Sequence, residues 1–363
     1  MKQIINSFTF ILIVFISGCN TDPSSDSRVL PPARGQIGEI IMVIDSAKRK
    51  TELFQELRKT FSAPVPGLPQ NEPTFTMRYV SPLNLNNVLR SAKNMIYVAT
   101  LDDRTKGGRA LLRNFTQSSI DRIKADSSLF MFSKQNEFAR GQEVLHLFGP
   151  DEPTLIKNII SNQKRLRKHF ENIEKKRLMR SLYKAKEVNA IGKRLLKNHQ
   201  YTFRVPHNYE ISLDKDSFTW IRQLTDAVDK NIFISYQPYS DEDVFTDENI
   251  LKLRSAITEE NLRDVENKSV YMDIQSIVPI ITRKISFNKK YAIEARGLWK
   301  LSDDSRGGPF LSYIFVDEKL NRLYYVEGYV DSPGRNKRDF IRELEVILST
   351  FKTESELQTE KQS

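Results

Sequence analysis

Cysteine is almost absent from this chain: Cys19 is the one thiol in 363 residues. A single thiol closes no intramolecular disulfide, builds no cysteine zinc site, and leaves Cys19 itself as the sole conceivable cysteine nucleophile. Histidine is scarce too. His146, His169, His199 and His207 show no HExxH spacing and no recognisable ligand pattern, so they read as packed or solvated side chains and no metal is expected. Phosphate-cradling loops are missing as well. "SRGGPF" has two glycines but neither the lysine nor the spacing of a Walker or dinucleotide fingerprint, and it reads as a turn. No GxSxG occurs, which leaves a nucleophile-elbow serine hydrolase unsupported. No cofactor is implied, and no internal repeat is visible. The two tryptophans, Trp220 and Trp299, read as sheet packing rather than sugar platforms.

What is present is enough apolar surface to fold. With 39% hydrophobic and 10% aromatic residues, the chain can bury one large core or two ordinary ones. The N-terminus reads as a targeting segment over residues 1–18. Lys2 starts it, "IINSFTFILIVFI" is apolar but short for a membrane anchor, and Ser17 and Gly18 are small. Ile16-Ser17-Gly18-Cys19 resembles the lipobox of bacterial lipoproteins, which implies cleavage before Cys19 and acylation of its thiol. Each buried methylene of an attached lipid contributes about 0.8 kcal/mol, so a multiply acylated end holds firmly to a membrane. The expected location is the cell envelope, at the outer membrane facing the periplasm. The lack of other thiols suits export to an oxidising compartment. Asn20, not Asp, offers no inner-membrane retention signal by resemblance to enterobacterial sorting. Residues 19–34, rich in Ser, Pro and Asp, read as a disordered tether whose fifteen residues after Cys19 reach at most about 50 Å.

The folded part divides into two sheet-containing halves, an α+β class with a mixed α/β first half. In residues 35–150, "GEIIMVID", "FTMRYVS" and "NMIYVATL" read as strands alternating with helices at "SAKRKTELFQELRKTF" and "LNNVLRSA". "SLFMFS" and "EVLHLFG" add two short strands. "SAPVPGLPQNEP" carries four prolines in twelve residues, which excludes helix and central strand. It can be a plain connector with Leu68 plugging the core, or a preformed surface presenting Leu68 to a partner. Residues 151–199 read as a long helix or helical pair separating the halves, with Gly192 as the weak point. Residues 200–352 read as an antiparallel sheet built from crowded strands and hairpins, closed by a helix over "RDFIRELEVILSTFK". The polar tail 353–363 reads as frayed.

These features together resemble a lipoprotein family of Gram-negative bacteria called domain of unknown function 4837. The resemblance rests on the lipobox, "GEIIMVID", "PVPGLPQNEP", "TFRVPHNYE", "EARGLWK", "GGPFLSY" and "YYVEGYV", spread from residue 37 to about 351. It implies an envelope protein and no defined activity. The second half also loosely resembles PsbP-like domains, a strand-rich sheet closed by a C-terminal helix, which mostly bind partners and do not catalyse.

Two constellations can carry chemistry. Strand alternation puts Glu294 and Arg296 on one face of their strand, and Tyr325, Glu327 and Tyr329 on one face of theirs. If the strands are neighbours, the two carboxylates can form the acid/base pair of an envelope glycan hydrolase; otherwise the residues form a solvated sheet face with a cross-strand ion pair. Charge is the second signal. Residues 157–199 hold fourteen Lys or Arg against three Asp or Glu, a net +11 where the whole chain is +10. Lys164, Arg165, Arg167 and Lys168 are the candidate contacts for anionic lipid or glycolipid phosphates; a solvated helix face is the alternative. Nucleic acid is not expected as a partner of a lipid-tethered protein outside the cytoplasm. The first expectation is thus a non-catalytic binding or structural module contacting an envelope protein or anionic glycolipid.

Overall fold

The computed structural model describes residues 30–185 and 187–362. The signal segment and Cys19 lie outside the described residues. The apolar run after Gly38 forms β1 (Glu39–Val43), followed by α1 (Glu52–Phe61), β2 (Thr76–Val80), α2 (Asn87–Arg90) and β3 (Asn94–Thr100). Two short helices, α3 (Lys106–Leu112) and α4 (Gln117–Ala125), precede β4 (Met131–Gln135) and β5 (Glu143–Gly149). They went unread in the sequence because each offers little apolar periodicity. Thr105 and Thr116 nevertheless mark their starts, each accepting a backbone N–H three residues on.

The first sheet has the order β2-β1-β3-β5-β4, parallel except for β4 at the edge. All seven residues of β3 are buried, as a central parallel strand covered on both faces requires. Ile40, Met42, Ile96, Val98, Leu145 and Leu147 pack under α1 and the long helix that follows. Ile41, Val43, Tyr97, Ala99 and Val144 face the other way, toward Leu111 of α3. The end of the expected tether belongs to this half. Ala33 and Arg34 donate to the carbonyls of Arg140 and Ser91, and Arg140 donates back to Pro31, so residues 31–34 are pinned rather than disordered.

The basic segment is a helical pair, α5 (Glu152–Leu182) and α6 (Asn189–His199). The break lies between residues 183 and 188, not at Gly192. Gly192 sits inside α6, where a Cβ would come within 3.0 Å of the Thr202 hydroxyl and 3.3 Å of the Phe203 carbonyl oxygen, so the glycine serves close packing. The pair is no spacer. Leu155, Ile159, Leu166 and Phe170 of α5 belong to the core of the first half, and Ile191 and Leu195 of α6 to that of the second.

The second half begins with β6 (Tyr201–Thr202), β7 (Glu210–Lys215), β8 (Phe218–Leu224) and β9 (Asp229–Pro238), then α7 (Asp247–Asn261) and β10 (Met272–Ile274). It continues through β11 (Ile281–Phe287), β12 (Lys290–Leu301), β13 (Gly307–Asp317), β14 (Arg322–Asp331), α8 (Arg338–Leu348), β15 (Lys352–Thr353) and α9 (Glu354–Gln362). The sheet is antiparallel, β10-β12-β13-β14-β9-β8-β7, with β11 also paired to β12, and the expected α+β class is borne out. Helices α6 and α8 cover one face and α7 the other. The glycines of "SRGGPF" open β13 instead of forming a turn. A Cβ on Gly308 would lie 2.0 Å from the Val330 carbonyl oxygen, so only glycine admits that strand approach. The tail after Thr353 is not frayed either: β15 pairs with β6, and Ser355 donates to Asp317 at 2.6 Å.

The proline-rich segment joins the halves. Val65 donates to the Glu72 carbonyl and Thr74 to that of Ala63, closing a strap at its base. Its tip reaches the other domain, where Leu68, 8% exposed, lies in the core formed with Phe287, Tyr313 and Leu344. Gly67, at φ +75°, lets the strap pass: a Cβ there would stand 2.8 Å from Arg296 Cβ. Glu72 then accepts the backbone N–H groups of Lys337 and Arg338 at 2.6 and 3.0 Å. Lys337, the α8 N-cap, has no side-chain cap of its own, so a carboxylate from the first half satisfies the helix end.

Candidate functional site

The two carboxylates singled out from sequence are not brought together. Strand β13 lies between β12 and β14, with Glu294 opposite Tyr313 and Tyr313 opposite Val326. Glu327 is opposite Ser312, which faces Ala295. Because neighbours across a sheet share a face, Glu294 and Arg296 point to the α8 side, whereas Tyr325, Glu327 and Tyr329 point to the α7 side. No acid/base pair can form across the sheet.

Each group is instead the hub of a buried ion pair. On the α7 side Glu327 accepts Arg254 Nε and Nη2 at 2.9 and 2.8 Å and the Tyr325 hydroxyl at 2.8 Å. Arg254 lies over the Phe310 ring, 4.0 Å from its centroid, and both ionic side chains are at most 1% exposed. Burial pushes the Glu327 carboxyl up despite the arginine. Tyr329 packs edge-on to Trp299 as core, and the Trp220 indole donates to Asn231. On the α8 side Arg296 donates from Nε to Glu294 at 3.0 Å and from Nη2 to Glu345 at 2.9 Å, while Arg283 also donates to Glu294. Burial opposes the charge on Glu294, but Arg296 and Arg283 outweigh it and hold the carboxyl below its usual value. This second hub ties β11, β12 and α8 of the second half to one another, with Gly67 of the strap passing against Arg296 Cβ.

The cationic candidates divide. Lys164, Arg165 and Lys168 are exposed, whereas Arg167 turns aside to Glu171, 3.9 Å away. At 100° per residue, Lys157, Lys164, Lys168 and Lys175 fall in a band roughly 40° wide and about 27 Å long. Arg165 and Lys176 flank it. None of these six makes an ion pair or side-chain hydrogen bond with any described residue.

In an open α/β sheet a ligand site is expected beyond the strand carboxyl ends, where the strand order reverses. Here that point, between β1 and β3, is filled: a Cβ on Gly107 would lie 2.1 Å from Asp45 Oδ2, and one on Gly108 the same distance from Asp103 Cγ. Lys48 is spent on Glu152 at 2.7 Å. Among the described residues no group of three or more His, Cys, Asp or Glu can hold a metal, and no helix is long and apolar enough to cross a membrane.

Two concave spaces stand out. One, of about 1200 Å³, lies between the β11–β12 hairpin and α9, but Lys290, Lys319 and Lys352 on its wall are already paired to Glu356, Thr359 and Glu360. The other, of about 690 Å³, lies on the first sheet beside α3 and α4. Its floor is a cross-strand ladder, Tyr97, His146 and Phe132, in register on β3, β5 and β4. The His146 ring stacks on Phe132 at 4.3 Å and on Tyr97 at 5.1 Å, tilted 13° and 12°. Its Nε2 lies 3.1 Å from Glu137, and burial pushes the Tyr97 hydroxyl up to about 12. Nothing in the spacing of these residues along the chain announced the ladder.

Comparison with known proteins bears on the two halves separately. Residues 188–350 match the family model for domain of unknown function DUF4837, and residues 33–183 match a different one, domain of unknown function DUF8532. The resemblance to the first family therefore stops at the α5–α6 break instead of reaching back to residue 37. No curated protein matches the sequence. The Saccharomyces cerevisiae Ran-binding protein Mog1p is similar in structure at a TM-score of 0.28, with 8% identity, over 43% of this chain and 90% of its own. A single-residue variant of Mog1 gives a TM-score of 0.28 at 9% identity, over 42% and 90%. Residues 188–350, somewhat under half of the chain, thus carry the match to the family described as domain of unknown function 4837.

Proposed function

We propose that the chain is a cell-envelope lipoprotein, attached to the membrane through Cys19 and acting as a non-catalytic binding module that meets anionic lipid or glycolipid along α5. The observation that carries this reading is the uncompensated stripe Lys157, Lys164, Lys168 and Lys175 with Arg165 and Lys176 beside it. Solvated helices commonly intersperse carboxylates at i+3 or i+4; here the one carboxylate at such spacing, Glu171, three after Lys168 and four before Lys175, lies beside Arg167 and pairs with neither lysine. Each cation near an anionic surface contributes about 1 kcal/mol, so four supply about 4 kcal/mol, a dissociation constant near millimolar. That is weak for a protein free in solution, which pellets with vesicles only at lipid concentrations near or above millimolar. It suffices to orient a body already held by a lipid, with α5 laid along the headgroups.

The test uses the unacylated mature chain and vesicles containing phosphatidylglycerol. Lys164→Gln, Arg165→Gln and Lys168→Gln together should reduce sedimentation with the vesicles at low salt and flatten its salt dependence. Equal pelleting of variant and parent refutes the lipid contact. Separately, Cys19→Ser should abolish labelling by a fatty-acid analogue, and persistent label would end the lipoprotein reading.

A further inference from the structure

The cleft beside α3 and α4 has the chemistry of a ligand site that neither the anchoring nor the α5 stripe uses. Both faces of the His146 ring are covered, by Phe132 and Tyr97, so the ladder shows the cleft its ring edges. Aromatic edges carry the positive end of the ring quadrupole and favour an anion or the face of another π system. Phe115 and Phe148, edge to face at 5.8 Å, add an apolar side wall, and Phe138 adds another beside Tyr97. Charge agrees with the ring edges. Among the lining residues Arg90, Arg122 and Lys134 face a single carboxylate, Glu137, which is committed to His146 at 3.1 Å and stands 4.0 Å from Lys134. Arg122 has no side-chain partner among the described residues, and Arg90 only rests over Phe138, 5.7 Å from its centroid. Phe132, on the edge strand, is 45% exposed, an apolar ring left open at the mouth of the cleft. A space of about 690 Å³ holds a molecule of two or three rings.

We propose that this cleft binds a small organic anion with a ring-bearing apolar body, its carboxylate or phosphate held by Arg90 and Arg122 and its body set on the Tyr97–His146–Phe132 ladder. A purely apolar ligand would leave the two guanidiniums unanswered, and a bare inorganic anion would leave the aromatic walls wet. The combination of both defines the class.

The experiment titrates the whole chain with naphthoate, naphthyl phosphate, neutral naphthylmethanol and acetate, following the His146 ring signals by NMR and the heat by calorimetry. Naphthoate or naphthyl phosphate should saturate at one site per chain and shift His146, with naphthylmethanol and acetate at least about ten-fold weaker. A preference between the two anions identifies the acidic group. Arg90→Gln combined with Arg122→Gln, both on exposed side chains, should weaken the anion about ten-fold while leaving the melting temperature in place. Phe132→Ala should weaken both naphthyl anions and the neutral alcohol alike, and if that variant fails to fold, the arginine variant still decides. The proposal is overturned if neither anion saturates, if naphthylmethanol binds as tightly as naphthoate, or if the arginine variant binds unchanged.

Discussion

Shortening Leu68 to alanine should loosen the joint between the two halves. The side chain comes from a strap of the first half but is 8% exposed within the core of the second. Leu68→Ala removes three carbons, about 2.4 kcal/mol of transfer free energy at 0.8 per methylene, and adds a cavity term wherever the surroundings cannot close in. Glu72 is fixed on the α8 N-terminus and Gly67 is wedged against Arg296, so the strap has little room to settle into the void. Its position at the core boundary limits the cavity, and an overall loss of about 2–3 kcal/mol follows. For a domain of this size that lowers the melting temperature by about 5–10 °C. Scanning calorimetry of the whole chain measures it, with Leu83→Ala, whose side chain is 59% exposed, as the neutral control. A shift under about 2 °C for Leu68→Ala would show that Leu68 does not plug this core, and would restore the reading in which the strap presents it to a partner.

Removing Glu327 alone should cost about 3–5 kcal/mol, because Arg254 is left charged and buried, whereas Arg254→Met with Glu327→Leu should recover most of the loss. Urea unfolding compares them, and an equal loss in the single and double variants would contradict the ion-pair account. Acid should destabilise the second half. Glu294, Asp214 and Asp317 are each buried enough to be pushed up, yet Arg296 and Arg283, His199 and Arg194, and the hydroxyls of Ser355 and Thr353 respectively hold them below their usual values. Glu327, pushed up by burial, works in the opposite sense, but at these three groups the folded state binds fewer protons than the unfolded chain. Their contribution is complete above the unfolded values, about pH 4 to 4.5, and is lost as pH falls through the folded ones. Urea midpoints that stay flat from about pH 6 to pH 3 would refute this sign.

Local pattern made much of this protein legible. The apolar run 39–43, the helical spacing of Leu53, Phe54, Leu57 and Phe61, the hairpins of the second half and the one-sided helix over Arg338–Leu348 all announce themselves, because each depends on residues a few positions apart. Alternation likewise told that Glu294 and Arg296 share a face, as do Tyr325, Glu327 and Tyr329. It could not relate the two sets. That relation depends on β13 standing between the strands and on a register in which a one-residue slip would exchange every face. The same limit hid the carboxylates that three histidines find, Glu137 for His146, Glu143 for His169 and Asp214 for His199. It also hid Leu68 in a core whose other members begin more than a hundred residues later. The stripe on α5 could be counted in the sequence, as could the i,i+4 spacing of Arg167 and Glu171, but only packing of Leu166 and Phe170 into the first core decided that Lys164 and Lys168 stay in water. Periodicity is a short-range property of the chain; strand register, helix rotation and domain docking are settled by which distant surfaces bury one another.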